Sequence, residues 1–200
     1  MNTIYLVRHG IKEKSVGDAK LSAKGIQQAE KTASFFRDKK IDAVFSSPLS
    51  RAKETAAIIA TAIDKDINEE IGLRERANWG DIPNQSFDEF VELWDKCTRE
   101  RDYEPPNGVS ARQAGKRMEQ FINECKNQYP DSEIIAVTHG GIITDFMVNV
   151  FNAEQLNDLH SNFIDVQSKL IPECSITIIR YDGMKYYIDD FAQVTHLLDK

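Results

Sequence analysis

The sequence predicts an α/β fold built around a mostly parallel β-sheet, and three observations lead to this prediction. Residues 4–7 and 133–138 are short, largely apolar runs, which is typical of strands buried on both faces, as in a parallel sheet. Amphipathic helical patterns separate such strands, so that strand, helix and strand follow one another in βαβ units. A chain of 200 residues can also bury roughly 70% of its unfolded surface, which is enough for a core without staples. We therefore expect a single domain over residues 1–200.

The composition limits the class of partner. The net charge is −7, which argues against a general nucleic-acid or anionic-membrane binder, because both need a basic surface. Cys97, Cys125 and Cys174 are an odd number of cysteines without metal-type spacing, which favours reduced thiols in a cytoplasmic protein. No basic region with a long apolar stretch opens the sequence, and no run reaches membrane-spanning length. We expect a cytoplasmic protein with neither a nucleic-acid nor a membrane partner.

The first half of the chain predicts two strand–helix units followed by an irregular loop. In order, the predicted elements are a strand over 4–7, a helix from Ser22 to about Lys39 and a strand over 42–46. Ser22 is a typical helix N-cap. After the second strand, Ser47 followed by Pro48 predicts a capped helix with the proline as its first residue. Residues 72–81 show neither a helical nor a strand period, so we predict a loop there.

The second half predicts three more helices, one buried strand and a hairpin. In order, the predicted elements are helices over 86–101 and from Ser110, a strand over 133–138, a helix over 142–150 and strands over 175–181 and 185–191. The first of these helices could roof a pocket. Ser110 and Gln113 form a capping-box pattern. Asp182-Gly183 is a hairpin signal, so at least one of the last two strands is antiparallel to the rest. Residues 152–172 carry no clear signal.

Charged side chains stand at the carboxyl ends of predicted strands, which is the edge where open α/β sheets bind ligands. Arg8 and His9 follow the first strand, and His139 follows a later buried strand, beside the free N–H groups that open a helix. Arg51 lies in a first helical turn, where the helix dipole disfavours a cation unless an anion is held there. Taken alone, each of these residues is also consistent with an ordinary surface side chain, and Arg51 with an ion pair to Glu54. Because arginine binds phosphate oxygens through its planar fork, the set indicates a site for a phosphoryl group.

These residues lie in motifs that resemble those of a known family. The matching segments are residues 6–10, then Leu21-Ser22 with Gly25, Gln28 and Ala29, residues 46–49 with Arg51, Ala52, Thr55 and Ala56, residues 73–75 ahead of Trp79-Gly80, and residues 137–141. In this set and order the sequence resembles the histidine phosphatase superfamily, which includes the cofactor-dependent phosphoglycerate mutases. The resemblance implies a three-layer α/β/α fold with a mostly parallel six-stranded sheet.

The resemblance also implies a role for each candidate residue. His9 would be the nucleophile that accepts the phosphoryl group, and Glu75 would be the proton donor to the leaving oxygen. Arg8, Arg51 and His139 would bind the transferring oxygens. The chemistry agrees, since an imidazole with a pKa near ~6.5 is largely neutral at neutral pH. Further candidates for binding the substrate are Gly140, Ser15 and Arg76, with Lys12, Lys14, Asn78 and Trp79 as candidates for lining its non-phosphate part.

The sequence departs from the commonest family pattern after Gly10, where Ile11, Lys12 and Ser15 stand in place of acidic, hydroxyl and amide side chains. Substrate-contacting positions of the mutases are therefore not reproduced. Our interpretation is a metal-independent phosphatase that acts on a small phosphorylated substrate and needs no cofactor. A mutase-like phosphotransferase and a non-catalytic phosphate-binding regulatory module are the alternatives, and a metallohydrolase lacks a convincing third ligand. Neither the physiological substrate nor the oligomeric state follows from the sequence.

Overall fold

The computed structural model describes residues 1–198, and its centre is one six-stranded sheet. The strands are β1 (Asn2–Arg8), β2 (Ala43–Ser46), β3 (Ile67–Glu69), β4 (Glu133–Thr138), β5 (Ile176–Tyr181) and β6 (Tyr186–Gln193). Their order across the sheet is β3-β2-β4-β1-β5-β6. Strands β1 to β4 are parallel, whereas β5 runs antiparallel to both β1 and β6. The predictions of a mostly parallel sheet and of an antiparallel C-terminal hairpin are confirmed.

Helices cover both faces of the sheet. They are α1 (Ala23–Phe36), α2 (Ser50–Ala62), α3 (Phe87–Arg99), α4 (Ala111–Gln128), α5 (Gly140–Val150), α6 (Ala153–Leu159) and α7 (Phe163–Val166). Alternate side chains of β1 point to opposite faces: Ile4 and Leu6 join the core beneath α4 and α5, whereas Tyr5 and Val7 join the core beneath α1 and α2. The result is the three-layer α/β/α arrangement. Within residues 1–198, no helix combines the length and the apolar character needed to cross a membrane.

The start of α2 differs from the prediction. The helix begins at Ser50, and its N-cap residue Leu49 is extended and makes no side-chain cap, so Pro48 is not the first helical residue. The Ser47 hydroxyl has a different partner, because its Oγ lies 2.7 Å from Nε2 of His139. A long-range hydrogen bond at the sheet edge therefore takes the serine that a local capping rule would use.

Other elements carry too weak a local pattern to be predicted. Strand β3 is a three-residue edge strand whose side chains are all exposed, so it lacks the apolar run of a buried strand. Helices α6 and α7 lie in the segment 152–172, for which the sequence predicts no element. The capping boxes are better encoded: Ser110 caps α4 with Gln113 as predicted, and Ser86 caps α3 with Glu89.

The register of the sheet aligns three chain segments at one edge. Arg8 at the end of β1 lies opposite Thr138 at the end of β4, and Ser46 at the end of β2 lies opposite Val137. The backbone N–H of His9 continues this ladder by donating to the carbonyl oxygen of Thr138 at 2.9 Å. The residues that follow the three strands therefore emerge side by side at the carboxyl edge of the sheet.

Candidate active site

His9 lies at the centre of this edge, and its hydrogen bonds define one tautomer. The ring is buried, with 6% exposure. Its Nε2 lies 3.1 Å from Nε of Arg51, and its Nδ1 lies 2.7 Å from the carbonyl oxygen of Gly10. Because an arginine N–H can only donate, Nε2 accepts and Nδ1 carries the proton. The lone pair of Nε2 is thus the nucleophilic position of the ring, and in this structure it accepts the Arg51 N–H.

The surroundings of His9 favour the neutral ring. Burial, together with the nearby positive charges of Arg51 and Arg8, lowers the pKa of the imidazole well below its ordinary value. Desolvation and like charge act in the same direction, because both penalise the imidazolium. His9 is therefore neutral at neutral pH, which is the form that a nucleophile requires.

Arg51 connects two parts of the edge. Its Nε donates to His9, and its Nη1 donates to Oδ1 of Asn78 at 3.1 Å. It is not paired with Glu54, whose carboxylate accepts the N–H of Leu21 instead. The guanidinium is buried, with 5% exposure, and lies in the first turn of α2. Among residues 1–198, no carboxylate lies at hydrogen-bonding distance from this guanidinium, which occupies a position where an anion would be stabilised.

His139 is the N-cap residue of α5, and its ring faces that of His9. The two ring centroids are 5.1 Å apart, in an edge-on arrangement. Nε2 of His139 bonds to Ser47, whereas its buried Nδ1 has no hydrogen-bond partner among residues 1–198. Burial and the charge of Arg51 lower the pKa of this imidazole as well. A buried polar atom without a partner is costly in a native structure, so Nδ1 is a further position for a ligand atom.

Glu75 reaches the same edge from the irregular loop, and backbone N–H groups orient its carboxylate. Oε2 accepts the N–H of Gly141 at 3.0 Å, and Oε1 accepts the N–H of Arg76 at 3.0 Å. A Cβ on Gly141 would come within 2.5 Å of the Trp94 ring and within 2.8 Å of Oε1 of Glu75. Glycine is therefore required at this position for the carboxylate and the indole to approach the start of α5.

Arg8 lies at the rim and already has an anionic partner. Its Nη2 donates to Oε1 of Glu173 at 2.6 Å, its Nη1 donates to the carbonyl oxygen of Ile171, and its buried Nε has no partner among the described residues. The side chain is one-quarter exposed, with 25% accessibility. Arg8 can therefore approach an incoming anion with Nε while Glu173 holds the other end of its guanidinium.

An open cavity of about 420 Å³ joins these groups. It is lined by Arg8, His9, Arg51, Glu75, Gly140, Lys12, Asn78 and Trp79, and further by Ala77, Gly141, Ser168, Glu173 and side chains of α3. The cavity thus brings together four of the five residues to which the resemblance assigns catalytic roles. His139 does not line it, and its ring packs edge-on against that of His9. Its volume is within the usual range for small-molecule sites.

Two candidate substrate-binding residues are not brought to this cavity. Ser15 is exposed on the loop after β1, and neither it nor Lys14 contributes to the lining. Arg76 is turned away into the interior, where its Nη1 donates to both carboxylate oxygens of Asp145, at 2.9 and 3.0 Å. Arg76 and Ser15 therefore do not line the cavity that contains His9, and a contact of either residue with the substrate stays a prediction. A buried carboxylate needs a cationic partner, and Arg76 supplies it.

Several residues of the site are absent from the sequence prediction. Ser47, Asp145 and Glu173 each act through a partner far along the chain, so no local period identifies them. The aromatic side chains of α3 are the exception, because their helical spacing does predict a helix over a pocket. Among residues 1–198, no group of three or more His, Cys, Asp or Glu side chains is arranged to hold a metal ion.

The strand order, with its edge of paired imidazoles and guanidinium groups, defines a phosphoglycerate mutase-like α/β/α protein. A sequence model of the histidine phosphatase superfamily (branch 1) matches residues 4–193, and the chain belongs to this family. The resemblance noted from the motifs is confirmed.

Relatives with similar sequences include a protein named as a phosphatase and one named as a probable phosphoglycerate mutase. The chain is 26% identical over 204 residues to the uncharacterized phosphatase PhoE of Bacillus subtilis, covering 98% of this chain and 97% of that protein. It is 31% identical over 152 residues to the probable phosphoglycerate mutase GpmB of Escherichia coli, covering 70% of each.

Solved structures show the same fold. A phosphoserine phosphatase mutant from Entamoeba histolytica, in complex with phosphoserine, matches with a TM-score of 0.75 and 24% identity, over 99% of this chain and all of that one (100%). A mycobacterial glucosyl-3-phosphoglycerate phosphatase in complex with VO3 matches with a TM-score of 0.73 and 21% identity, over 96% of this chain and 99% of that one.

Proposed function

We propose that this protein is a metal-independent phosphatase that hydrolyses a small phosphomonoester through a phosphohistidine intermediate on His9. One observation carries the proposal: the unprotonated Nε2 of His9 is held by its Nδ1–H bond to Gly10 and lies against the guanidinium of Arg51. A nucleophilic lone pair is thus preorganised beside a cation that can accept phosphate oxygens, and such electrostatic preorganisation supplies most of phosphoryl-transfer catalysis.

The first step transfers the phosphoryl group to the histidine. Nε2 of His9 attacks phosphorus, the bond between phosphorus and the leaving oxygen breaks, and Glu75 gives its proton to that oxygen. Arg51, Arg8 and Nδ1 of His139 bind the three transferring oxygens. The positive charge that develops on the His9 ring is stabilised by the Gly10 carbonyl oxygen, which accepts Nδ1–H.

The second step releases inorganic phosphate. Glu75, now a carboxylate, takes a proton from a water molecule as that water attacks phosphorus, and the bond between phosphorus and Nε2 breaks. His9 returns to its neutral tautomer, and Glu75 is protonated again for the next cycle. The hydrogen bonds from Gly141 and Arg76 keep the carboxyl group in place for both proton transfers.

The test is release of inorganic phosphate from 4-nitrophenyl phosphate, phosphoserine and 3-phosphoglycerate in the presence of a chelator. We expect turnover by the native protein and a loss of about a thousandfold or more in His9→Ala, because the nucleophile is removed. The matched control is His160→Ala, since His160 is exposed and lies outside the cavity. Rapid quenching during turnover should trap an acid-labile phosphoryl adduct on His9. Equal turnover by His9→Ala and the native protein would refute the proposal.

A phosphoglycerate mutase-like phosphotransferase is the second candidate, and the relationship to GpmB favours it. A mutase must hold the departing glycerate phosphate for re-phosphorylation, which needs more substrate contacts than a hydrolase. Incubation with labelled 3-phosphoglycerate separates the two functions. Isomerisation without phosphate release would favour the mutase, and binding without either reaction would favour a regulatory module.

A further inference from the structure

We propose that helix α3 forms a subsite for the leaving group, and that the protein prefers phosphomonoesters whose alcohol carries a flat apolar group such as an aromatic ring. This inference rests on the proposed phosphatase function and adds the substrate class. The cavity has two chemically different ends: a charged end at the sheet edge, and an apolar end formed by α3.

The apolar face of α3 does not serve the protein core. Of the thirteen residues of this helix, Cys97 is the buried one. Phe87 remains 55% exposed and Val91 37% exposed. Both line the same cavity as His9, together with Phe90 and Trp94. Exposed large apolar side chains that are gathered on one face and directed at a cavity are typical of a ligand-binding surface.

The aromatic rings form a continuous wall. Ring centroids are 5.2 Å apart between Trp79 and Phe87, 6.4 Å between Phe87 and Phe90, and 5.9 Å between Phe90 and Trp94. The indole N–H of Trp79 already donates to the carbonyl oxygen of Gln85 at 3.2 Å. The wall therefore offers apolar ring surface rather than polar groups, and offset or edge-on contacts with a further ring are favourable there.

The inner end of this wall lies beside the reacting groups and is rigid. The guanidinium of Arg76 lies 3.8 Å over the Trp94 ring, and Asp145 holds that guanidinium from behind. The Trp94 ring also fills the space next to Gly141, on the same side as Glu75. An alcohol leaving a phosphoryl group bound at His9 must pass Glu75 to receive its proton, and it then meets the wall.

The cations that line the cavity lie mainly at its phosphoryl end. Arg8 and Arg51 lie at the phosphoryl end, and Arg8 is already paired with the carboxylate of Glu173, which lines the cavity. Outside that end, Lys12 is the cation in the lining. A carboxylate on the leaving group would lie near Glu173 and the aromatic rings, which compensate its lost hydration poorly.

The test compares 2-phenylethyl phosphate with glycerol 3-phosphate, because both release a primary alcohol and need similar protonation. We expect the native protein to show a lower KM for the phenylethyl ester. Phe87→Ala and Val91→Ala should raise that KM about three- to tenfold, a change that corresponds to loss of part of one apolar contact. They should leave the KM for glycerol 3-phosphate within about twofold. Tyr187→Ala is the matched control, since Tyr187 is a similarly exposed aromatic residue (42%) outside the cavity.

The outcomes separate the subsite from the reaction. If the variants raise both KM values equally, or if the native protein has the lower KM for glycerol 3-phosphate, the subsite proposal is wrong although the phosphatase function stands. If neither ester releases phosphate with the native protein and His9→Ala is no different, the proposed function itself has failed. Circular dichroism of Phe87→Ala checks that α3 remains folded, and Val91→Ala tests the same wall with a smaller change.

Discussion

At the scale of the residue, Glu75 and Arg76 are neighbours in sequence whose side chains point in opposite directions. Both are bound by helix α5. Glu75 points into the cavity and accepts the Gly141 N–H, while Arg76 points inward and pairs with Asp145 one turn further along α5. Asp145 is fully buried, and burial raises the pKa of its carboxyl to about 7 although Arg76 and Arg101 oppose the shift. We infer that Asp145 is a positioning residue, which acts on Glu75 through Arg76.

Replacing Asp145 should therefore affect proton donation more than phosphate binding. At about pH 8, where the carboxylate is ionised, we expect Asp145→Asn to slow hydrolysis of 2-phenylethyl phosphate about tenfold. Hydrolysis of 4-nitrophenyl phosphate should slow by no more than about twofold, because nitrophenolate leaves without a proton. The measurement is kcat/KM for both esters, because this ratio reports the first phosphoryl transfer and not the later attack of water, with Glu75→Gln as the reference for a lost proton donor.

Asp102→Asn is the matched control, because Asp102 pairs with Arg112 on the surface, where solvent screens an ion pair and it contributes little to stability. If Asp145→Asn lowers the rate of hydrolysis of both esters by the same factor, Asp145 stabilises the fold and does not position Glu75 for proton donation. If Glu75→Gln showed no dependence on the leaving group, the proton-donor role itself would be lost.

At the scale of the element, the first turn of α5 makes the closest contacts of the site. His139 caps this helix, and the next two residues are glycines with different surroundings. A Cβ on Gly140 would lie 3.4 Å from Cδ of Arg8, which is ordinary contact, whereas a Cβ on Gly141 would overlap the Trp94 ring at 2.5 Å. Although both residues are glycines in one helical turn, only the second is required by packing.

The pair supplies a matched experiment on one turn of helix. We expect Gly141→Ala to lower kcat for 2-phenylethyl phosphate at least about tenfold. The added methyl group displaces Glu75 and Trp94, and a displacement of about 1 Å is enough to misplace a catalytic group. Gly140→Ala should cost no more than about threefold. Thermal unfolding of both variants separates misplacement from loss of fold, and similar kcat values for the two would contradict the assigned packing.

At the scale of the whole molecule, the parallel sheet places side chains from distant parts of the chain at one edge. His9 follows β1 and His139 follows β4, and the pairing of these two strands brings the rings to 5.1 Å. Burying both imidazoles beside two arginines stabilises their neutral form. The same burial gives the folded state a pH dependence, because an unfolded chain binds these protons at an ordinary pKa near ~6.5.

The free energy of unfolding should therefore fall as the pH drops below about 6.5. His9 and His139 have lowered pKa values in the folded state, so the unfolded state takes up more protons there. Asp145 acts in the opposite direction, since its folded pKa is raised. For these three groups the net difference is near zero at about pH 7 and approaches one proton at about pH 5.5 and below, which corresponds to about 1.4 kcal/mol per pH unit. Urea unfolding at about pH 6 and pH 5 measures this slope.

The double variant His9→Gln, His139→Gln should make the slope much smaller over this range, because the raised pKa of Asp145 and the lowered pKa of His196 then oppose each other. An unchanged slope in the double variant would show that the two imidazoles do not titrate as their burial implies.

The sequence by itself determined the fold class, the strand ends that carry Arg8, His9 and His139, and the N-caps Ser22 of α1 and Ser110 of α4. These features depend on periodicity and on covalent neighbours, so a local pattern contains them. Only the tertiary structure decided that the Arg76 side chain pairs with Asp145 and that Ser47 bonds His139 rather than capping α2. Each of these interactions depends on a partner that the packing of the layers brings close. A local sequence pattern does not contain that packing, so it does not fix where a loop side chain points.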